Sequence, residues 1–136
     1  MTIEPGKYQI KNHASWTTLD ESTDGEQVIH GWTQTNESNQ HWEVHLEDDG
    51  NYVIQNIASG SFLFADGPED GTRLVGSGNR AAWYLDQHSE GWVYISFPGT
   101  NQVVDLDNGE AADGTTISLW RRNDDSKQQQ WFFEPV

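Results

Sequence analysis

Apolar residues along this chain come in short runs, not at helical spacing. Tyr8-Gln9-Ile10, Tyr52-Val53-Ile54, Val93-Tyr94-Ile95 and Phe132-Phe133 are rich in β-branched and aromatic residues. Gly, Asn, Asp and Ser separate such stretches, which is the signature of short strands. No window sustains an apolar period of 3.6 residues, and most of the Pro and Gly lie between the runs. The pattern predicts an all-β chain.

The runs also repeat. Gly6, Gly50 and Gly91 each open a strand, with separations of 50 − 6 = 44 and 91 − 50 = 41 residues. Fourteen residues after each glycine stand Asp20, Phe64 and Asp105. An Asp-Gly pair follows in every copy, Asp24-Gly25, Asp70-Gly71 and Asp113-Gly114, where glycine takes the positive φ of a tight turn without steric cost. Each copy closes on a tryptophan: Trp42, Trp83 or Trp131. Internal repetition at this period signals stacked or closed units. Three units are too few for a propeller, and a solenoid needs capping repeats. Closure of three units on one another removes exposed strand edges. The expected fold is therefore a β-trefoil of three pseudo-symmetric four-stranded repeats, spanning about 6–46, 50–87 and 91–136 in a single domain over residues 1–136.

Composition narrows the function. The net charge is −15, from 22 acidic and 7 basic residues, which disfavours nucleic-acid backbones. No basic amphipathic stretch or long apolar run suggests membrane insertion. The 7 Trp, 4 Tyr and 5 Phe supply the apolar area that order requires despite the charge. The absence of cysteine excludes disulfides, thiolate chemistry and Cys-based zinc sites. His41 and His45 are four apart on a strand-rich segment, which does not align them as metal ligands. No metal or cofactor is expected. Met1 to Tyr8 carries Glu4 and Pro5 with no apolar run and does not read as a signal peptide. A cytoplasmic protein is the simplest reading, with leaderless release as a second route.

Three features taken together resemble the ricin B-type lectin family, specifically the small single-domain lectins of fungi. Gln40-x-Trp42 and Gln129-x-Trp131 are its Gln-x-Trp signature, and Leu19-Asp20 and Val104-Asp105-Leu106 stand at its sugar-binding aspartate position. The two chain ends, Tyr8-Gln9-Ile10-Lys11-Asn12 and Trp131-Phe132-Phe133-Glu134, are similar as well. The resemblance implies binding of terminal galactose or N-acetylgalactosamine on glycans, without catalysis, and a role in defence. A carboxylate accepting from sugar hydroxyls is a charge-assisted contact, and an aromatic face covers the C–H patch of the ring.

In the third unit the family pattern maps onto Asp105, Ser118, Trp120, Gln128 and Gln129, which makes it the best site. Asp105 would accept from two hydroxyls, Trp120 would stack, Gln128 would bond a further hydroxyl, and Gln129 would orient Asp105 or the loop. The first unit maps onto Asp20, His30, Trp32, Asn39 and Gln40, a second site that His30 would make sensitive to mildly acidic pH. The loop from Asp20 to His30 spans 10 residues, against 13 from Asp105 to Ser118 (30 − 20 and 118 − 105). The middle unit carries Phe64, Ser77 and Ala81 in place of the acid, the aromatic and the Gln, and is expected to bind nothing. Trp42, Trp83 and Trp131 read as core, and Asp24, Asp70 and Asp113 as turn formers.

Weak single-site affinity would require two sites per chain or a homodimer for useful avidity. The rival reading is a β-trefoil protease inhibitor acting through its loops. It makes no use of the Asp/Trp pair. A glycan-hydrolysing carboxylate pair ranks below both, because Asp20 and Asp105 lie in different units.

Overall fold

The computed structural model describes residues 2–136, and within them the chain folds into twelve β-strands with no α-helix. The first four strands are β1 (Gly6–Asn12), β2 (Thr18–Glu21), β3 (Ile29–Trp32) and β4 (Trp42–Leu46). The next four are β5 (Tyr52–Asn56), β6 (Phe62–Phe64), β7 (Val75–Ser77) and β8 (Tyr84–Gln87). The last are β9 (Val93–Ser96), β10 (Gln102–Leu106), β11 (Thr115–Arg121) and β12 (Trp131–Pro135). Short 3-10 turns at Ser38–Gln40, Asp107–Gly109 and Lys127–Gln129 are the other regular elements. Among the described residues no helix is long and apolar enough to cross a membrane.

Six strands close a barrel. β1 pairs with β4 and β12, β4 with β5, and β9 with β8 and β12. Tyr52 and Trp83 complete the ring through reciprocal backbone bonds of 2.8 and 2.7 Å. The hairpins β2–β3, β6–β7 and β10–β11 form a cap. β11 pairs with β3, while the bridges Val28↔Val75 and Arg73↔Ser118 join the other two hairpin contacts. Each hairpin therefore meets both others, and no unit presents a free inner edge. This is the β-trefoil.

The core shows why the closing tryptophans recur. Trp42, Trp83 and Trp131 are at most 1% exposed, and each indole Nε1 donates to a backbone carbonyl of its own unit: Leu19 at 3.0 Å, Leu63 at 2.9 Å and Val104 at 3.0 Å. A buried indole N–H needs such a partner. The acceptor is in each case the residue just before Asp20, Phe64 or Asp105. The core tryptophan thus fixes the strand that presents the outward-facing position.

Volumes are matched between neighbouring units rather than within each one. A Cβ on Gly31 would lie 2.6 Å from Leu106 Cδ1, so the leucine of the third unit fills the space a side chain would take in the first. Glu21 stands in the same place against Gly76 of the middle unit.

Candidate functional site

Strand alternation separates core from site. Leu19 and Ile29 face inward, leaving Asp20, His30 and Trp32 on the outer face of the first hairpin. Val104, Ile117 and Leu119 do the same for Asp105, Ser118 and Trp120. The register sets Asp20 opposite His30 and Asp105 opposite Ser118. In the middle unit it sets Phe64 opposite Val75.

The five first-unit candidates come together. Asp20 is 4% exposed with both oxygens engaged. Oδ1 lies 2.8 Å from His30 Nε2, and Oδ2 accepts from Gln40 Nε2 at 2.9 Å and Asn39 Nδ2 at 3.2 Å. Gln40 also donates to the Thr33 carbonyl at 2.9 Å and accepts from the Thr35 N–H at 2.8 Å, tying the carboxylate to the loop after β3. The His30 and Trp32 rings are 5.0 Å apart and tilted by 37°. Around them lies a cleft of about 460 Å³ whose walls include Asp20, Asp24, His30, Trp32, Thr35 and Asn39.

The third unit repeats the plan with a looser acid. Asp105 Oδ2 accepts from Gln129 Nε2 at 2.9 Å, while no hydrogen bond among the described residues engages Oδ1. Gln129 donates to the Arg121 carbonyl at 3.0 Å and accepts from the Asn123 N–H at 2.8 Å, the same double anchorage as Gln40. Ser118 takes the place of His30 but makes no bond to the acid. Burial pushes the Asp105 carboxyl up to about 6; the Gln129 amide opposes the shift and Asp107 adds to it. Trp120 is 43% exposed beside it, a large ring face open to solvent. Gln128 is half-buried next to Gln129, and its backbone carbonyl accepts from Asn12 Nδ2 at 2.9 Å.

Some functional contacts had no signal in the sequence. Asp113 of the third unit accepts from both the N–H and the Oγ1 of Thr33, each at 2.8 Å, and a Cβ on Gly114 would lie 3.9 Å from the Trp32 ring. Asp70 of the middle unit accepts from the Arg121 N–H at 3.0 Å, and a Cβ on Gly71 would lie 3.9 Å from the Trp120 ring. The Asp-Gly turn of one unit thus holds the aromatic platform of the next. Asp24 completes the series only locally, accepting from Ser22 Oγ at 2.9 Å and the Glu26 N–H at 3.0 Å, and its neighbouring unit has Ser77 where the platform is missing. The turn motif was visible in the sequence, but which strand each aspartate meets depends on how the three hairpins close. Among the described residues no group of acids and histidines could hold a metal ion.

Comparison with known proteins agrees with this architecture. The Macrolepiota procera ricin B-like lectin, solved with lactose, superposes with a TM-score of 0.92 and 28% identity over 100% of both chains. The Rhizoctonia solani agglutinin superposes at 0.91 with 21% identity, over 100% of this chain and 99% of that one. Pierisin of Pieris brassicae is 32% identical over 96 residues, or 61% of this chain, which spans only 11% of that protein's length. The family described as Ricin-type beta-trefoil lectin domain-like matches residues 1–75 and 38–120, and the chain belongs to it.

Proposed function

We propose that this chain is a single-domain, non-catalytic lectin for terminal galactose or N-acetylgalactosamine. It binds through Asp105, Ser118, Trp120, Gln128 and Gln129 in the third unit and Asp20, His30, Trp32, Asn39 and Gln40 in the first. Its three units run over about 6–46, 50–87 and 91–136, and the middle one has no sugar site.

One observation carries the reading. In the first and third units a carboxylate is held by the Gln of Gln-x-Trp beside an outward-facing tryptophan, and in the middle unit acid, aromatic and Gln are absent together. Since Phe64 occupies the acid's place without disturbing the strand pairing, the fold does not require that acid. Likeness along the whole chain to a lectin solved with lactose supports a galactoside as ligand. A free carboxylate oxygen next to an exposed ring face suits a hydroxyl pair and the C–H patch of one sugar.

Such shallow sites bind weakly, with a Kd of about 1 mM for a single sugar. Useful avidity then comes from two sites per chain or from a homodimer. Titration with lactose, followed by calorimetry and a glycan array, tests the reading. Binding should fall sharply in Asp105→Ala and less in Asp20→Ala. Absence of any glycan binding by the wild type would end it.

A further inference from the structure

The two sites differ in what the preceding unit places at their edge. Residues directly opposite one another in an antiparallel pair put their side chains on the same face. At the third site the row runs from Asp105 to Ser118, and from Ser118 across to Arg73 of the middle unit. Leu74, next in the chain, is buried in the core, so Arg73 points to the outer face with Asp105, Ser118 and Trp120. At the first site the equivalent row runs from Asp20 to His30 to Thr116. A neutral hydroxyl stands there in place of the guanidinium.

Arg73 is exposed and takes part in none of the ion pairs among the described residues. Such a cation is notable in a chain of net charge −15, where acids to pair with are plentiful. Two strand spacings separate it from Asp105, about 10 Å. That suits a ligand whose hydroxyls meet Asp105 while a substituent on the far edge meets Arg73. The guanidinium fork matches a sulfate or carboxylate in bidentate fashion.

We infer that Arg73, contributed by the middle unit, makes the third site selective for galactosides carrying an anionic substituent, whereas the first site takes neutral ones. This rests on the lectin reading above. It also gives the middle unit, which lacks a sugar site of its own, a part in recognition.

The test is an NMR titration of the whole chain, reading the indole N–H signals of Trp120 and Trp32 separately. The ligands are methyl β-galactoside, its 3-O-sulfate, its 6-O-sulfate and methyl galacturonide, the last separating carboxylate from sulfate. At least one anionic ligand should shift Trp120 with roughly five-fold higher affinity than the neutral one, the upper end for an exposed ion pair. Trp32 should show no such preference. Arg73→Gln should bring the ratio at Trp120 to near one. A Trp120 response that is equal or weaker for every anionic ligand overturns the inference, as does a preference that survives Arg73→Gln. If neither indole responds to any galactoside, the lectin reading itself fails and takes the inference with it.

Discussion

Asp70 Oδ1 accepts the backbone N–H of Arg121 at 3.0 Å, so the middle unit grips the strand that carries Trp120. The same oxygen accepts from Gln102 Nε2 at 2.7 Å, tying β10 to the turn as well. A platform that must cover a sugar face loses binding if it can swing, because ordering it then falls on the ligand. Asp70→Ala should therefore weaken galactoside binding at the third site by roughly three- to ten-fold. Binding reported by the Trp32 indole should be unchanged. Asp24→Ala is the control for the third site: its bonds stay within its own loop, and binding reported by the Trp120 indole should be unchanged. Site-resolved NMR titration distinguishes the outcomes, and equal effects of the two substitutions would remove the brace from the account.

Asp105 gives the third site a pH threshold. Its carboxyl is raised by burial to about 6, so below that pH the acid is increasingly protonated and ceases to be a charged acceptor. Galactoside affinity at Trp120 should fall as pH drops from 7.5 to 5. Stability moves the other way. The folded value lies above the ordinary 3.8, so the cost of holding the charge is present above about 6 and is relieved as pH falls towards 4. Asp105→Asn should thus melt at a higher temperature than wild type at pH 7.5, with the gain gone near pH 4. The same variant should lose binding at the third site at every pH. Melting curves across this range, paired with sugar titrations, check both halves.

Gln129 couples the site to the fold. It is 3% exposed and its side chain makes three hydrogen bonds, to Asp105, the Arg121 carbonyl and the Asn123 N–H. Gln129→Ala removes all three and leaves buried polar groups without partners, which should cost about 2–3 kcal/mol of unfolding free energy. Binding should fall with it, since the Asp105 carboxylate loses its only hydrogen-bond partner among the described residues. Gln129→Glu keeps the size but cannot donate from that position, so it should recover little of either property. Urea unfolding and lactose titration of the two variants read these effects. A stable variant that still binds would sever the link.

The fold and the site were legible in the sequence to different depths. The closing tryptophans, the Asp-Gly pairs and the spacing of Gly6, Gly50 and Gly91 are properties of one unit, and they were enough to give the threefold barrel. The grouping of Gln40 with Asp20 and of Gln129 with Asp105 in one site followed from the family resemblance, because each pair lies within one copy, while the hydrogen bonds that join them came from the geometry. What stayed hidden were the contacts between copies. Asp113 to Thr33 joins residues 80 apart, and Arg73 to Ser118 joins two hairpins whose register depends on closure of the whole cap. The His30–Asp20 contact was hidden for another reason. A histidine opposite an aspartate can face a ligand or the acid, and only the geometry shows the 2.8 Å approach.

Glu21 is the clearest departure from threefold economy, and it supplies a stability test. It is 2% exposed, and its Oε1 is buried with no hydrogen-bond partner among the described residues. The equivalent residue of the third unit is Leu106, fully buried against Gly31, while Glu21 lies against Gly76. Burial raises the Glu21 carboxyl above its ordinary value; the Ser59 hydroxyl opposes the shift and the neighbouring Asp20 adds to it. Glu21→Leu places at this interface the side chain that the third unit already accommodates against a glycine. It should stabilise the fold at pH 7 by on the order of 1 kcal/mol. Because the folded-state carboxyl is raised, its charge penalty is present at neutral pH and fades as pH falls towards the ordinary 4.5 and below. The advantage of Glu21→Leu should shrink over the same interval. Gly76→Ala should destabilise the wild type, since its Cβ would collide with the Glu21 carboxylate. Denaturant unfolding at pH 7 and pH 4 checks all three outcomes, and a Glu21→Leu variant less stable than wild type at pH 7 would show that the carboxylate stabilises this interface after all.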